Sequence, residues 1–218
     1  MDRNGAGRYE LVYFKYMIKG MRDIHSQGIV HRDVKPENIF VHGPRLKIGD
    51  FGLSKLVRRR DTAQAGTLAP HGYSFARSIA DLTRTFSLKS VSTTTQGAVI
   101  GTPSYAAPEG GVACTEKADI YSCGLVLVEL LSHKMTTAHE RHQLLGQYRE
   151  RGILPAYFQH DAFAGWRLLI NRMCARLPTD RPSAETVVQV LKQCAVNVAG
   201  SHYYELDSAK VHSIFNKT

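Results

Sequence analysis

Four polar side chains lie close enough in the sequence to share one piece of chemistry. Asp33 is a carboxylate, Lys35 an ammonium two residues on, and Asn38 an amide oxygen; Asp50 follows twelve residues beyond Asn38. They belong to two runs, His31-Arg32-Asp33-Val34-Lys35-Pro36-Glu37-Asn38 and Asp50-Phe51-Gly52. Amide and carboxylate oxygens are hard ligands of the kind that Mg²⁺ takes. A carboxylate can accept a hydroxyl proton, and an ammonium beside it can neutralise a phosphate in transit. Phosphoryl transfer asks for this combination, because it needs little covalent work from a protein and much positioning and charge neutralisation. Taken alone, Asp33 would read as a turn former. The octet around it argues for chemistry.

Such residues need a scaffold, and the apolar pattern supplies one. From Tyr9 to Gly28, Leu11, Phe14, Ile18 and Met21 recur at helical spacing, with Met17 and Ile24 widening the stripe. Asn38–Val41 and Arg45–Ile48 are short β-branched runs, and His42-Gly43-Pro44 between them is turn chemistry, so a small hairpin is expected. Asp119–Leu131 is apolar on nearly every face, the pattern of a buried helix, with Asp119 placed to cap its start. Further helices are expected near Glu140–Arg151, Trp166–Ala175 and Ala184–Cys194, the last capped by Ser183. Residues after about Asn197 read as a weakly structured tail.

The octet fits H-R-D-x-x-x-x-N, Asp50-Phe51-Gly52 follows the hairpin, and Ala107-Pro108-Glu109 comes after Gly101-Thr102-Pro103-Ser104-Tyr105. In this order the chain resembles the eukaryotic protein kinases from about Tyr9 to Ala195. The resemblance implies an α+β, mostly α fold: a kinase C-terminal lobe over residues 1–197 with a short hairpin, an activation-segment insertion at 53–100, and a tail at 198–218. Asp33, Lys35 and Asn38 would be catalytic, with Lys35, Asn38, Phe40 and Asp50 binding ATP and Asn38 and Asp50 holding Mg²⁺. Lys35 points to serine/threonine rather than tyrosine acceptors. His31 and Phe51 would stack between lobes, Phe40 would lie under the adenine, Asp119 would hold the His31-Arg32 turn, and Glu109 would pair with Arg181. Arg32 would meet a phosphate on the activation segment, carried by Thr93, Thr94 or Thr95, with Thr102 the other regulatory candidate, read as a structural hydroxyl bonding Asp33 and Lys35. Asp119–Leu131, Thr137–Arg141 and Leu154–Phe158 bear a closer resemblance to the kinases of the alpha subunit of translation initiation factor 2.

Composition narrows the partners. The chain has 218 residues, 43% hydrophobic and 22% charged, as for one globular domain. Its net charge is +9, of which Lys55, Arg58, Arg59, Arg60, Arg77, Arg84 and Lys89, set against Asp61 and Asp81, contribute +5. That stretch is rich in Ser and Thr with little periodicity, so a solvated, partly disordered loop is expected in preference to a nucleic-acid surface. Cys114, Cys123, Cys174 and Cys194 have no metal spacing and read as free thiols. No apolar run approaches the ~20 residues that span a bilayer. The expectation is a soluble cytoplasmic protein with a protein substrate, and without membrane or nucleic-acid partners. The 30 residues before the octet hold no G-x-G-x-x-G and no V-A-I-K-type lysine, so the N-terminal lobe is expected to be absent and ATP to bind only if one is supplied. The competing reading is an inert C-lobe used as a docking or decoy module.

Overall fold

The computed structural model describes residues 6–42, 45–57, 101–110, 115–132, 135, 137–199 and 202–217. Helix α1 (Arg8–Ser26) turns Leu11, Phe14, Met17, Ile18, Met21 and Ile24 into the core, as the spacing predicts. It stops where Gly28 takes φ 71°, a left-handed conformation that costs a glycine little, and where an added Cβ would meet the Val57 carbonyl oxygen at 2.9 Å. Helix α2 (Glu116–Leu131) is the centre of the molecule, buried on nearly all sides. It packs against α1, against α3 (Ala138–Arg151) and against α4 (Ala164–Met173). Helix α5 (Ala184–Gln193) lies along α1, with Ser183 accepting from Thr186 N as its cap. Each fully buried large aliphatic or aromatic side chain in this core, such as Phe14, Leu125 or Phe158, contributes about 1.5–3 kcal/mol.

Among the described residues three small sheets decorate the helices. Strand β1 (Ala6–Gly7) belongs with two late strands described below. Strands β2 (Ile29–Val30) and β5 (Lys55–Leu56) pair antiparallel, as do β3 (Ile39–His42) and β4 (Arg45–Ile48), with Ile39 opposite Ile48 and Val41 opposite Leu46. The hairpin is therefore as expected. Strand β5 shows that the stretch drawn from residue 53 begins in ordered structure, because its backbone completes the ladder that β2 offers. Residues 58–100, and with them Thr93, Thr94, Thr95 and the proposed disordered insertion, lie outside the described residues.

Two expectations are corrected. Asp119 does not cap α2: the helix begins one turn earlier, and Thr115 accepts from Lys117 N instead. The 198–218 tail is not weakly structured. After β6 (Ala195–Asn197), β7 (Tyr203–Leu206) forms the middle of an antiparallel sheet ordered β1-β7-β6, and α6 (Ser208–Phe215) packs on α4 and α5. Leu206 and Val211 are buried, Trp166 Nε1 donates to Tyr204 O at 3.1 Å, and a Cβ on Gly165 would strike the Leu206 carbonyl oxygen at 2.0 Å. Cys123, Cys174 and Cys194 are free thiols, and burial pushes Cys174 up to about 12, which makes it inert. Among the described residues no helix is long and apolar enough to cross a membrane.

Candidate active site

The loop that follows β2 is anchored from below by α2. Asp119 accepts from His31 N and Arg32 N, both at 2.8 Å, and contacts His25 Nε2 at 2.9 Å. Arg32 takes φ 72°, a backbone conformation that costs about 1–2 kcal/mol for a residue with a Cβ. Two hydrogen bonds to a buried carboxylate offset that strain. The His31 ring accepts from Asp33 N at 3.3 Å through Nδ1, donates to Gly49 O at 2.9 Å through Nε2, and meets Phe51 at 4.9 Å between centroids. The catalytic loop and the Asp50-Phe51-Gly52 turn are thereby tied together.

Asp33 is held by four bonds. Thr102 donates both its N–H and its hydroxyl to Oδ1, each at 2.8 Å. Lys35 Nζ lies 2.8 Å from Oδ2, which also accepts from Asn38 Nδ2 at 3.1 Å. Burial alone would raise this carboxyl, but Lys35 and the two bonds from Thr102 outweigh it and hold the group below its ordinary value. Lys35 also donates to Thr102 Oγ1 at 2.7 Å, and an ammonium has three donors, so one is left for a further acceptor. Thr102 therefore sits where a structural hydroxyl was expected. Gly101 before it takes φ 92°, and a Cβ there would strike the Arg32 carbonyl oxygen at 2.4 Å.

Asn38 spends its amide hydrogens on Asp33, with Nδ2 donating to Asp33 O at 2.8 Å as well as to Oδ2, which leaves its side-chain oxygen as the atom with the chemistry of a metal ligand. Gly49 N donates to Asn38 O at 2.9 Å, so the hairpin brings Asp50 beside Asn38 along the chain path. Asp50 has φ 59° and stands exposed, with Oδ1 accepting from Gly52 N at 3.3 Å. An amide oxygen and a carboxylate suit Mg²⁺, which keeps few protein ligands and completes its shell with water and phosphate oxygens. Among the described residues no cluster of three His, Cys, Asp or Glu could hold a metal alone. Phe40 leaves 54% of its surface open beside Gly49 and offers an apolar face to a flat ring.

Several residues of the site were not anticipated. Tyr105 donates to Glu129 at 2.5 Å, Arg141 contacts both Glu129 and Glu37, and Arg149 donates to Ala106 O at 3.1 Å. These contacts hold Tyr105 and Ala106. Helix α3 buries only Leu145 and Tyr148, so charged partners help to hold so polar a helix in place. The expected Glu109–Arg181 pair is present. Arg181, 1% exposed, gives two bonds to Glu109 at 2.7 and 2.8 Å and the rest to the carbonyls of Ala175, Arg176 and Lys117.

The protein kinase domain model matches residues 9–74 and 76–191. The chain belongs to the protein kinase family. The eukaryotic translation initiation factor 2-alpha kinase PK4 of Plasmodium falciparum (isolate 3D7) is 40% identical over 189 residues, covering 84% of this chain and 6% of that protein. The eIF-2-alpha kinase GCN2 of Arabidopsis thaliana is 35% identical over 179 residues, covering 80% of this chain and 13% of that protein. The serine/threonine-protein kinase mos of Xenopus laevis is 30% identical over 200 residues, covering 86% and 48%. The chain thus spans less than half the length of each of these relatives.

Proposed function

We propose that this chain carries the catalytic lobe of a protein serine/threonine kinase whose substrate is the alpha subunit of translation initiation factor 2. The observation that carries the kinase reading is the convergence of Asp33, Lys35, Asn38 and Thr102 within hydrogen-bond reach of one another. The substrate reading is supported by the names of the relatives PK4 and GCN2.

In this reading the acceptor Ser or Thr hydroxyl lies against Asp33, which orients its oxygen and takes its proton as the new P–O bond forms. The bond between the γ-phosphorus and the β,γ-bridging oxygen breaks, and ADP leaves with that electron pair. Lys35 turns its remaining donor to the transferring phosphate. Asn38 and Asp50 would hold Mg²⁺, which supplies charge neutralisation at the phosphates. An Asp33 carboxyl below its ordinary value is a weak base, which suits a loose transition state in which the proton moves late. ATP is retained through groups that cover its phosphates in addition to those described. The 218-residue chain on its own should therefore bind Mg-ATP more weakly than millimolar by calorimetry; a low micromolar Kd would show that these residues suffice.

The decisive experiment uses the natural protein. Asp33→Asn, close to isosteric, should lower kcat toward the initiation factor subunit by roughly 10²-fold or more in protein that is still folded by circular dichroism. A kcat near wild type would remove Asp33 from the chemistry.

A further inference from the structure

Glu37 belongs to the same octet as Asp33 and Lys35, and its side chain is 53% exposed. Arg141, on α3, donates from Nη1 to Glu37 Oε1 at 3.0 Å. Arg141 Nε lies 2.8 Å from Glu129 Oε1, an ion pair whose N–H is not aligned as a hydrogen bond. The other oxygen of Glu129 accepts from Tyr105, in the segment on which a substrate would rest. Two carboxylates from distant parts of the chain thus converge on one guanidinium, between the catalytic loop and that segment. A carboxylate pair at such a place would reward a Lys or Arg of an incoming chain, since complementary charge beside the reacting group sets specificity. Here the cation already comes from within.

We propose that Arg141 is a specificity-determining residue: it occupies the carboxylate pair Glu37/Glu129, so that a substrate needs no basic residue beside its acceptor and gains nothing from one. The inference rests on the kinase reading above. It also explains why a helix with only two buried side chains reaches into the site at all. The pair is partly solvated, with the Arg141 side chain 37% exposed, so removing the guanidinium leaves a hole that a substrate cation can enter without unfolding anything.

The test uses the full natural protein and a set of serine peptides in which Arg replaces Ala, one position at a time, from three residues before the acceptor to three after. Arg141→Met keeps the aliphatic stem and removes the charge; Arg141→Ala is a second variant, and Arg141→Lys the conservative control. Wild type and Arg141→Lys should show equal kcat/KM for Arg and Ala peptides. Arg141→Met should favour Arg at one position by about tenfold, the equivalent of ~1.4 kcal/mol, and adding Glu37→Gln should erase the preference. A flat profile in an active Arg141→Met enzyme, or a wild type that already prefers Arg, overturns the proposal. Should no peptide be phosphorylated, binding of the same labelled Arg peptides by fluorescence anisotropy decides the subsite separately from the kinase reading, which the Asp33→Asn measurement tests. Tighter binding to Arg141→Met than to wild type, lost with Glu37→Gln, upholds it; equal binding overturns it.

Discussion

Asp33 receives two donors on each carboxylate oxygen, and that arrangement fixes its charge as firmly as its position. Removing one donor should be visible directly. Thr102→Ala deletes the hydroxyl but leaves the backbone N–H, so the Asp33 carboxyl should titrate at higher pH than in wild type, by carbon-detected NMR. A carboxyl depressed in the folded state adds stability above its unfolded pKa, and loses it as pH falls through the folded value. The variant should therefore lose about 1 kcal/mol at neutral pH, with the deficit shrinking in acid below the ordinary carboxylate range. An unchanged titration would mean that the remaining donors, the Thr102 N–H among them, set the charge without the hydroxyl. Asp33, Lys35, Asn38 and Asp50 were legible because they are close neighbours in two short runs, whereas Thr102 was expected only from the family resemblance. Tyr105, Glu129 and Arg141 were not, since nothing local marks residues that meet only when three separate segments fold together.

At the scale of elements, α2 works as a post on which the loop hangs. Asp119, buried in its first turn, takes the two backbone N–H groups that force Arg32 into a left-handed conformation. Asp119→Ala should cost about 3–5 kcal/mol in urea unfolding, because the charged hydrogen bonds that offset the Arg32 strain are lost and two backbone N–H groups are left without their acceptor. A loss below 1 kcal/mol would show that the loop holds its shape without α2. The apolar run announced this helix correctly, but local capping logic placed its start at Asp119. A carboxylate at a helix start and a carboxylate reaching to a distant loop look alike in sequence; only the tertiary partner tells them apart. Glu109 and Arg181 are the companion case. Glu109→Ala would strand a guanidinium that is almost wholly buried, and a similar loss of about 3–5 kcal/mol is expected by the same measurement. Arg181 has five donors in a fixed fork, so Arg181→Lys should not substitute for it.

For the whole molecule, the late strand and helix matter most. Deleting residues 198–218 removes the middle strand of the β1-β7-β6 sheet and uncovers Trp166 and the cleft beside Gly165. The shortened chain should melt well below the intact one, or aggregate; equal melting temperatures would show that the sheet is decoration. The sequence hid this element because β7 is four residues long and α6 eight, too short for periodicity to separate from a polar tail. The same pairing has a consequence for how the chain acquires its shape. Ala6 joins Tyr204 across almost the entire sequence, and Arg8 N joins His202 O. Contacts so remote form against a large loop-closure entropy and slow the search for the native state. During synthesis α1 can be emerging and coiling long before its first turn has anything to hold. Its first turn is pinned only when residues near 202 leave the ribosome, long after the helix itself has been made.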